Sequence, residues 1–261
     1  MKIDAFRSAA DFYSRRADYP LNEIASRERK VVRSDARDCG KLSPLWAAVI
    51  GDCLLVSVRS QLVQPVEKFL NTLSCPKEIM TPLAGNELLS VCGRAFGEQK
   101  RFFCYSGVKL YCDQEIFIKI TDPNVRKMTM ANMPRIMELF YSFAKPDDKQ
   151  CMEAVVAGDA AFAYFLGNEP VSFCTTHHKY MSDKIGDLCM QGTLVQYRGH
   201  GYGKATVSAA TNEILKQGRT PVWGASIYNM ASIKTAQAVG YRLFCQVLEI
   251  RSVQSKEQYP L

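Results

Sequence analysis

The stretch QYRGHGYGKA, Gln196 to Ala205, decides how this sequence is read. It places Gly199, Gly201 and Gly203 at alternate positions between Arg198 and Lys204. Ahead of it, GDLCMQGTLV has the character of a strand. Behind it, KATVSAATNEILKQG has helical spacing and closes at Gly218. A glycine turn between a strand and a helix N-terminus collects backbone N–H groups that lack partners, at the positive end of the helix dipole. Glycine also lets the main chain approach a ligand closely and adopt positive φ. With Arg198 and Lys204 adding positive charge, the physical reading is a cradle for a pyrophosphate. A glycine-rich turn that holds no ligand is the alternative.

The surrounding pattern is a mixed α/β alternation. From Val125, VRKMTM predicts a short strand, and ANMPRIMELFYSFA a helix with Asn132 at its cap and Pro134 in its first turn. DDKQCMEAVVAG predicts a second helix ended by Gly158, and AAFAYFLGNEPVSFCTTHHKY two strands about Gly-Asn-Glu. After the glycine turn and its helix come a strand (PVWGASI), a helix capped by Asn229 and ended by Gly240, and a last strand (YRLFCQVLEIRS). The earlier part is less regular. LSPLWAAVI runs as an apolar segment into the strand CLLVSVRSQL, QPVEKFLNTL has helical spacing, and RFFCYSGVKLYC predicts a hairpin turning at Ser-Gly. Asp-Pro-Asn at 122–124 marks a break. We therefore expect a smaller α/β domain over residues 1–122 and a second domain over 123–261.

Spacing separates the phosphate-binding motifs that the turn could represent. A Walker A loop needs four residues between its first glycine and Gly-Lys-Ser/Thr, whereas Gly199 and Gly203 enclose three, and Ala205 replaces the hydroxyl. A dinucleotide fingerprint needs glycine where Lys204 stands, an early β-α-β location and a downstream acid. The segment Arg198-Gly199-His200-Gly201-Tyr202-Gly203 resembles the Q/R-x-x-G-x-G/A motif of the GCN5-related N-acetyltransferases, the GNAT superfamily. The resemblance runs from about Val125 to Ser252 and includes a second landmark. NMASIKTAQAVGY is similar to the family's later helix in Asn229, Ser232, Gly240 and Tyr241.

The resemblance implies a GNAT acyl-CoA N-acyltransferase fold in the C-terminal half, with acetyl-CoA as cosubstrate and no metal. It places the backbone of Gly199 to Gly203, including His200 and Tyr202, with Arg198 and Lys204, on the coenzyme A pyrophosphate. It puts the strand end at Leu194 and Val195 on the pantetheine arm, and Asn229 and Ser232 beside it or beside the adenosine diphosphate. It also implies that this strand splays from the one at Val222–Ile227. The residues preceding 123 would wall the acceptor cleft, as a degenerate GNAT-like half does in two-part members.

The catalytic groups depart from the family pattern. Many members protonate the leaving thiolate with a tyrosine seven residues after the helix-opening asparagine, a position held here by Ala236. Tyr228 and Tyr241 are the tyrosines nearby in sequence. The family's glutamate base is missing from GDLCMQGTLV, which offers Asp187, Cys189, Gln191 and Thr193. His177 and His178 close the preceding strand. As neighbours on a strand they point to opposite faces, so one of them would face an acceptor, with an unperturbed pKa suited to a base. Asp183 and Glu153 are further candidates.

Composition narrows the classes. The 261 residues carry 33 Lys and Arg against 26 Asp and Glu, a net +7 that suits anionic ligands and argues against polycationic acceptors such as aminoglycosides. No basic-aromatic run marks a nucleic-acid groove. Ten scattered cysteines without a CxxC pair, three histidines, no apolar leader and no run of transmembrane length point to a reduced, cytoplasmic protein without a metal site or membrane association. The expected activity is transfer of an acetyl group to the amine of a small-molecule or amino-acid-like acceptor. A non-catalytic acyl-CoA sensor and a tandem-GNAT aminoacyl-transfer enzyme are the alternatives, and a homodimer stays open.

Overall fold

The computed structural model describes residues 4–24, 28–35, 43–97, 100–141, 154–155, 157–176 and 182–253. In chain order its elements begin with helix α1 (Ala5–Ala17), strands β1 (Arg29–Arg33), β2 (Leu45–Ile50) and β3 (Cys53–Val58), helices α2 (Val63–Leu70) and α3 (Pro82–Phe96), and strand β4 (Phe102–Tyr111). There follow β5 (Val125–Lys127), α4 (Met133–Tyr141), β6 (Phe162–Leu166), β7 (Glu169–Thr176) and β8 (Ile185–Thr193). Helix α5 (Tyr202–Lys216), β9 (Thr220–Ser226), α6 (Met230–Ala238) and β10 (Arg242–Ser252) complete the order. The architecture is mixed α/β. The chain divides into two compact units, one of Ala9–Lys109, Ser226–Tyr228 and Leu243–Leu261, the other of Met1–Ser8, Leu110–Ala225 and Asn229–Arg242.

In the first unit the strand order is β1-β3-β2-β10-β4. The apolar segment before residue 51 is itself a strand, antiparallel to the expected strand that follows it, with Ile50 paired to Cys53 across the turn. Both strands are buried almost throughout, the signature of strands covered on both faces. Period-two alternation puts Leu45, Ala47 and Val49 on one face with Leu54, Val56 and Val58. That face packs against Val66 and Leu70 of α2 and Leu88, Val91 and Cys92 of α3, residues three or four apart on each helix. The expected hairpin at Ser106-Gly107 is corrected: residues 102–111 form one unbroken strand. A tight hairpin turn needs positive φ, which Gly107 does not adopt, and the Ser106 carbonyl accepts a hydrogen bond from the Ile227 N–H.

In the second unit the strand order is β9-β8-β7-β6-β5. The hairpin about Gly167-Asn168 is present, with Leu166 opposite Glu169. The Asp-Pro-Asn break is a turn in which Asp122 Oδ1 accepts from the Asn124 N–H at 2.9 Å. Helix α4 covers one face of the sheet, setting Met133, Ile136 and Leu139 against Ala163, Phe165 and Phe173. Helix α5 takes the other face, where Tyr164 and Val171 meet Ala205. Of the helix expected over 147–158, only Ala154 and Val155 are described as helical, and the rest lies outside the described residues.

The packing of α5 is unusually close at its C-terminal end. A methyl group added to Gly186 of β8 would meet three atoms of the buried Ile214 side chain at 2.6 to 2.8 Å. Overpacking of this kind costs about 1–3 kcal/mol. Gly186→Ala is therefore expected to lower the unfolding free energy, read from guanidinium denaturation, by that amount. Adding Ile214→Val, which removes one of the three contacting atoms, should recover part of the loss, a coupling that a double-mutant cycle reads.

Several cysteines sit deep in this packing. Burial pushes the thiols of Cys92, Cys112 and Cys245 up from 9.0 to about 12. An unfolded chain releases these protons near pH 9, and the native chain only near pH 12. Their contribution to stability is thus complete below pH 9 and is lost as the pH climbs towards 12. The thermal midpoint should fall more steeply above pH 9 than below it, and Cys92→Ala should shallow that alkaline slope.

Candidate functional site

The geometry of the glycine stretch follows from where β8 stops and α5 starts. Thr193 ends the strand, Val195–Tyr197 make a single 3-10 turn, and the helix begins at Tyr202. Gly199 and Gly201 take φ of 83° and 87°, the left-handed region that a side chain resists. Gly201 occupies the N-cap position without a side-chain cap, and no acidic residue stands in the first helical turn. The Ala205 N–H donates to the Gly201 carbonyl at 3.1 Å, so the N–H groups of Tyr202, Gly203 and Lys204 precede the first intrahelical bond. Lys204 is exposed. The Arg198 guanidinium reaches back to the Thr193 carbonyl at 3.2 Å, and His200 Nδ1 lies 2.9 Å from the Arg198 carbonyl. The turn therefore presents positive charge and N–H donors without an internal anion.

Gly203 is a contact residue. A methyl group there would stand 2.7 Å from Gln191 Nε2 and 3.2 Å from Thr193 Oγ1, both on β8. Thr193 Oγ1 is in turn 2.8 Å from Ser172 Oγ, which donates to the Gly192 carbonyl at 2.9 Å. Gln191, Thr193 and Ser172 thus form a small polar patch under the helix start. Tyr202 stacks on Tyr164 with ring centroids 4.1 Å apart, and His200 stacks on Tyr202 at 5.5 Å. The Tyr164 hydroxyl donates to Asp122 at 3.0 Å and accepts from Asn124 at 3.3 Å. The sequence gives no spacing signal for Tyr164, because strand register brings it to the turn.

Beside the turn, β8 parts from β9. The two pair in parallel from Ile185↔Thr220 to Leu188↔Trp223, yet β8 runs on to Thr193 and β9 to Ser226. The register against β7 shifts at the same place: Thr175 faces Met190 and Thr176 faces Leu188. One extra residue on β8 is a β-bulge, which bends a strand and increases its twist. Among the described residues, β8 makes no pairing with β9 beyond Leu188, which leaves that edge of main-chain donors and acceptors open.

The remaining predicted site residues divide into placed and unplaced ones. Leu194 is half-buried, and its N–H donates to the Val171 carbonyl at 3.0 Å, while Val195 is 71% exposed. Asn229 caps α6 through its side chain, accepting from the Ser232 N–H at 3.1 Å. Ser232 Oγ accepts from the indole N–H of Trp223 at 3.1 Å, which ties α6 to the strand at the point where it leaves β8. Tyr228 is exposed, its N–H donating to Ser226 Oγ at 3.3 Å. Tyr241 is buried, with its hydroxyl 2.9 Å from Thr211 Oγ1, and burial holds its phenol neutral far above pH 10.0. Ala236 is completely buried. His177, His178 and Glu153 lie outside the described residues, as does the side chain of Cys189. Asp183 is exposed. Among the described residues no group of His, Cys, Asp and Glu side chains is arranged to hold a metal ion, and no helix is long and apolar enough to cross a membrane.

No protein-family model matches the chain. No curated protein matches it in sequence. Solved structures do superpose on it. The likeness is to GNAT acetyltransferases. A protein of that family from Novosphingobium aromaticivorans shares 11% identity at a TM-score of 0.49, over 60% of this chain and about two thirds (68%) of its own. A GCN5-related N-acetyltransferase from Kribbella flavida is 13% identical at a TM-score of 0.46, over 98% of both chains. An aminoglycoside N-acetyltransferase in complex with CoA is 18% identical at 0.37, over 46% of this chain and 92% of its own.

The cap is the simplest of these features to test. Asn229→Ala should destabilise the protein by about 1 kcal/mol, whereas Asn229→Asp, an equally good cap, should leave the unfolding midpoint within error.

Proposed function

We propose that this chain is a two-part GNAT-fold protein that uses acetyl-CoA to acetylate the amine of a small-molecule or amino-acid-like acceptor. The observation that carries the reading is the coincidence, within one unit, of an uncapped glycine turn and a strand pair that opens beside it. The N–H groups of Gly199 to Lys204, with Arg198 and Lys204, suit the pyrophosphate: they offer donors, positive charge and no competing anion. The open edge of β8 from Met190, and the chain at Leu194 and Val195, suit the amides of the pantetheine arm, which supplies the thioester when bound. Asn229 and Ser232 lie at the start of α6, where the adenosine diphosphate or the arm would pass.

In this reading the acceptor nitrogen attacks the thioester carbonyl carbon, a C–N bond forms and the C–S bond breaks. The amine proton leaves to a base and the departing sulfur takes one up. Main-chain N–H groups along the open β8 edge would polarise the carbonyl, and holding both reactants in one cleft supplies much of the rate. Residues 1–122, the smaller α/β part, would wall the acceptor. His177 or His178 would act as base and Tyr228 as acid. Ten scattered cysteines without a CxxC pair support a reducing, cytoplasmic setting.

One observation favours a second reading, a non-catalytic acyl-CoA sensor. Ala236, where many family members carry the acid, is completely buried in α6, and of the two tyrosines nearby in sequence, Tyr241 is sealed against Thr211.

Titration calorimetry of coenzyme A and acetyl-CoA tests the site. Micromolar binding is expected for the wild type and none for Gly201→Glu/Gly203→Glu, whose carboxylates block the cradle sterically and by charge. Lys204→Glu provides the control that folds: an acid in the first turn interacts well with the helix dipole, so stability should hold or rise by roughly 0.5 kcal/mol while affinity drops about tenfold. Absence of binding to folded wild type overturns the acyl-CoA assignment. Turnover with a panel of amines separates enzyme from sensor.

A further inference from the structure

The second unit contains a cavity of about 730 Å³ at the opposite end of α5 from the glycine turn. Leu215, near the helix C-terminus, and Thr220, the first residue of β9, both line it. Tyr202 and Leu215 are separated by about 20 Å of helix. The cavity thus belongs neither to the turn nor to the open strand pair.

Its lining contrasts with the charge of the whole protein. Asp4, Asp113 and Glu115 bring three carboxylates, and Arg219 is the single basic residue, in a chain whose net charge is +7. Two of the carboxylates are fixed by the backbone. Asp4 Oδ1 accepts from the Arg7 N–H at 3.0 Å, and Asp113 Oδ1 from the N–H groups of Glu115 and Ile116 at 2.9 and 3.0 Å. The second oxygen of each makes no hydrogen bond among the described residues, and Arg219 forms no ion pair with either. The negative end of the α5 dipole adds to the field.

The walls also carry an aromatic pair. Phe6 and Tyr111 meet edge to face with centroids 6.1 Å apart, and Phe6 is 45% exposed. Burial raises the Tyr111 phenol above its usual pKa, and the carboxylates of Asp113 and Asp4 push it the same way against the opposing charge of Arg242. Thr220 closes the wall, fully buried. The carboxylates of Asp4 and Asp113, each with one open oxygen, and an aromatic corner share one cavity.

We propose that this cavity is a second binding site, for a small organic cation that pairs an ammonium or guanidinium group with an apolar or aromatic body. The carboxylates of Asp4 and Asp113 hold the charge, and Phe6 and Tyr111 hold the body through contact with the ring faces. The site shares no residue with the glycine turn, and its test needs no acyl-CoA.

The test is calorimetric titration of 2-phenylethylammonium, with phenylacetate as the anionic counterpart of similar shape. Saturable one-to-one binding of the cation is expected, and none of the anion. Asp4→Asn/Asp113→Asn removes two charges but keeps both backbone-accepting oxygens, and asparagine caps as well as aspartate. It should melt with the wild type and bind the cation at least about tenfold more weakly. Gly201→Glu/Gly203→Glu should bind it unchanged, which separates this site from an acceptor cleft next to the turn. Equal affinity in wild type and Asp4→Asn/Asp113→Asn, comparable binding of phenylacetate, or no saturable binding at millimolar ligand overturns the proposal. Tyr111→Leu, which removes the aromatic wall and leaves the charges, should weaken 2-phenylethylammonium more than methylammonium, and equal losses for the two also overturn it.

Discussion

The close seating of α5 on the β7-β8 layer is the constraint on which the second unit depends. Glycine permits it at both ends: Gly186 on the strand beneath Ile214, and Gly203 on the helix above Gln191 and Thr193. The helix face between them is small and partly polar, with Thr206, Ser208 and Thr211 fully buried beside Val207, Ala210 and Ile214. Burying hydroxyls is tolerable because each is satisfied. Thr206 donates to the Gly203 carbonyl, Thr211 to the Val207 carbonyl, and Ser208 accepts from the Ile120 N–H. A bulkier face would lift the helix, and its N-terminus would no longer lie against the end of β8.

A second local feature turns that contact into an opening. The extra residue on β8 between Leu188 and Met190 sits at the last register position shared with β9. A bulge adds twist, so the strand keeps its pairing with β7 while its other edge diverges. Trp223 marks the point of divergence. Its indole N–H is held by Ser232 and its ring lies 5.9 Å from that of Tyr241, so β9 and α6 are tied together on the far side of the opening. The capping of α6 by Asn229 completes that piece.

Charge is distributed along α5 in keeping with its dipole. Arg198 and Lys204 flank the N-terminal turn, where the helix already favours anions, and no acid interrupts them. Three carboxylates gather at the cavity near the other end, where the helix favours cations. At the first end the charges reinforce the backbone field, whereas at the other Lys216 in the last turn and Arg219 on the cavity wall offset part of it. A net charge of +7 describes neither end.

Local signals were readable from the sequence because their causes are local. Positive-φ glycines at 199 and 201, the cap at Asn229, the turn at Gly167-Asn168 and the Asp-Pro-Asn turn each follow from the preferences of a few adjacent residues. The Ser106-Gly107 hairpin was misread for the same reason. The dipeptide suits a turn, but an extended partner at Ile227 and burial of the strand beyond it outweigh that preference. The sequence by itself determined the α/β alternation, the glycine turn and its positive charge. Only the tertiary structure decided that β8 bulges and leaves β9, that Tyr164 stacks under Tyr202 and that Asp4, Asp113 and Arg219 share a cavity. Those features arise from strand register and chain crossings between residues far apart in sequence, and no short-range preference encodes them.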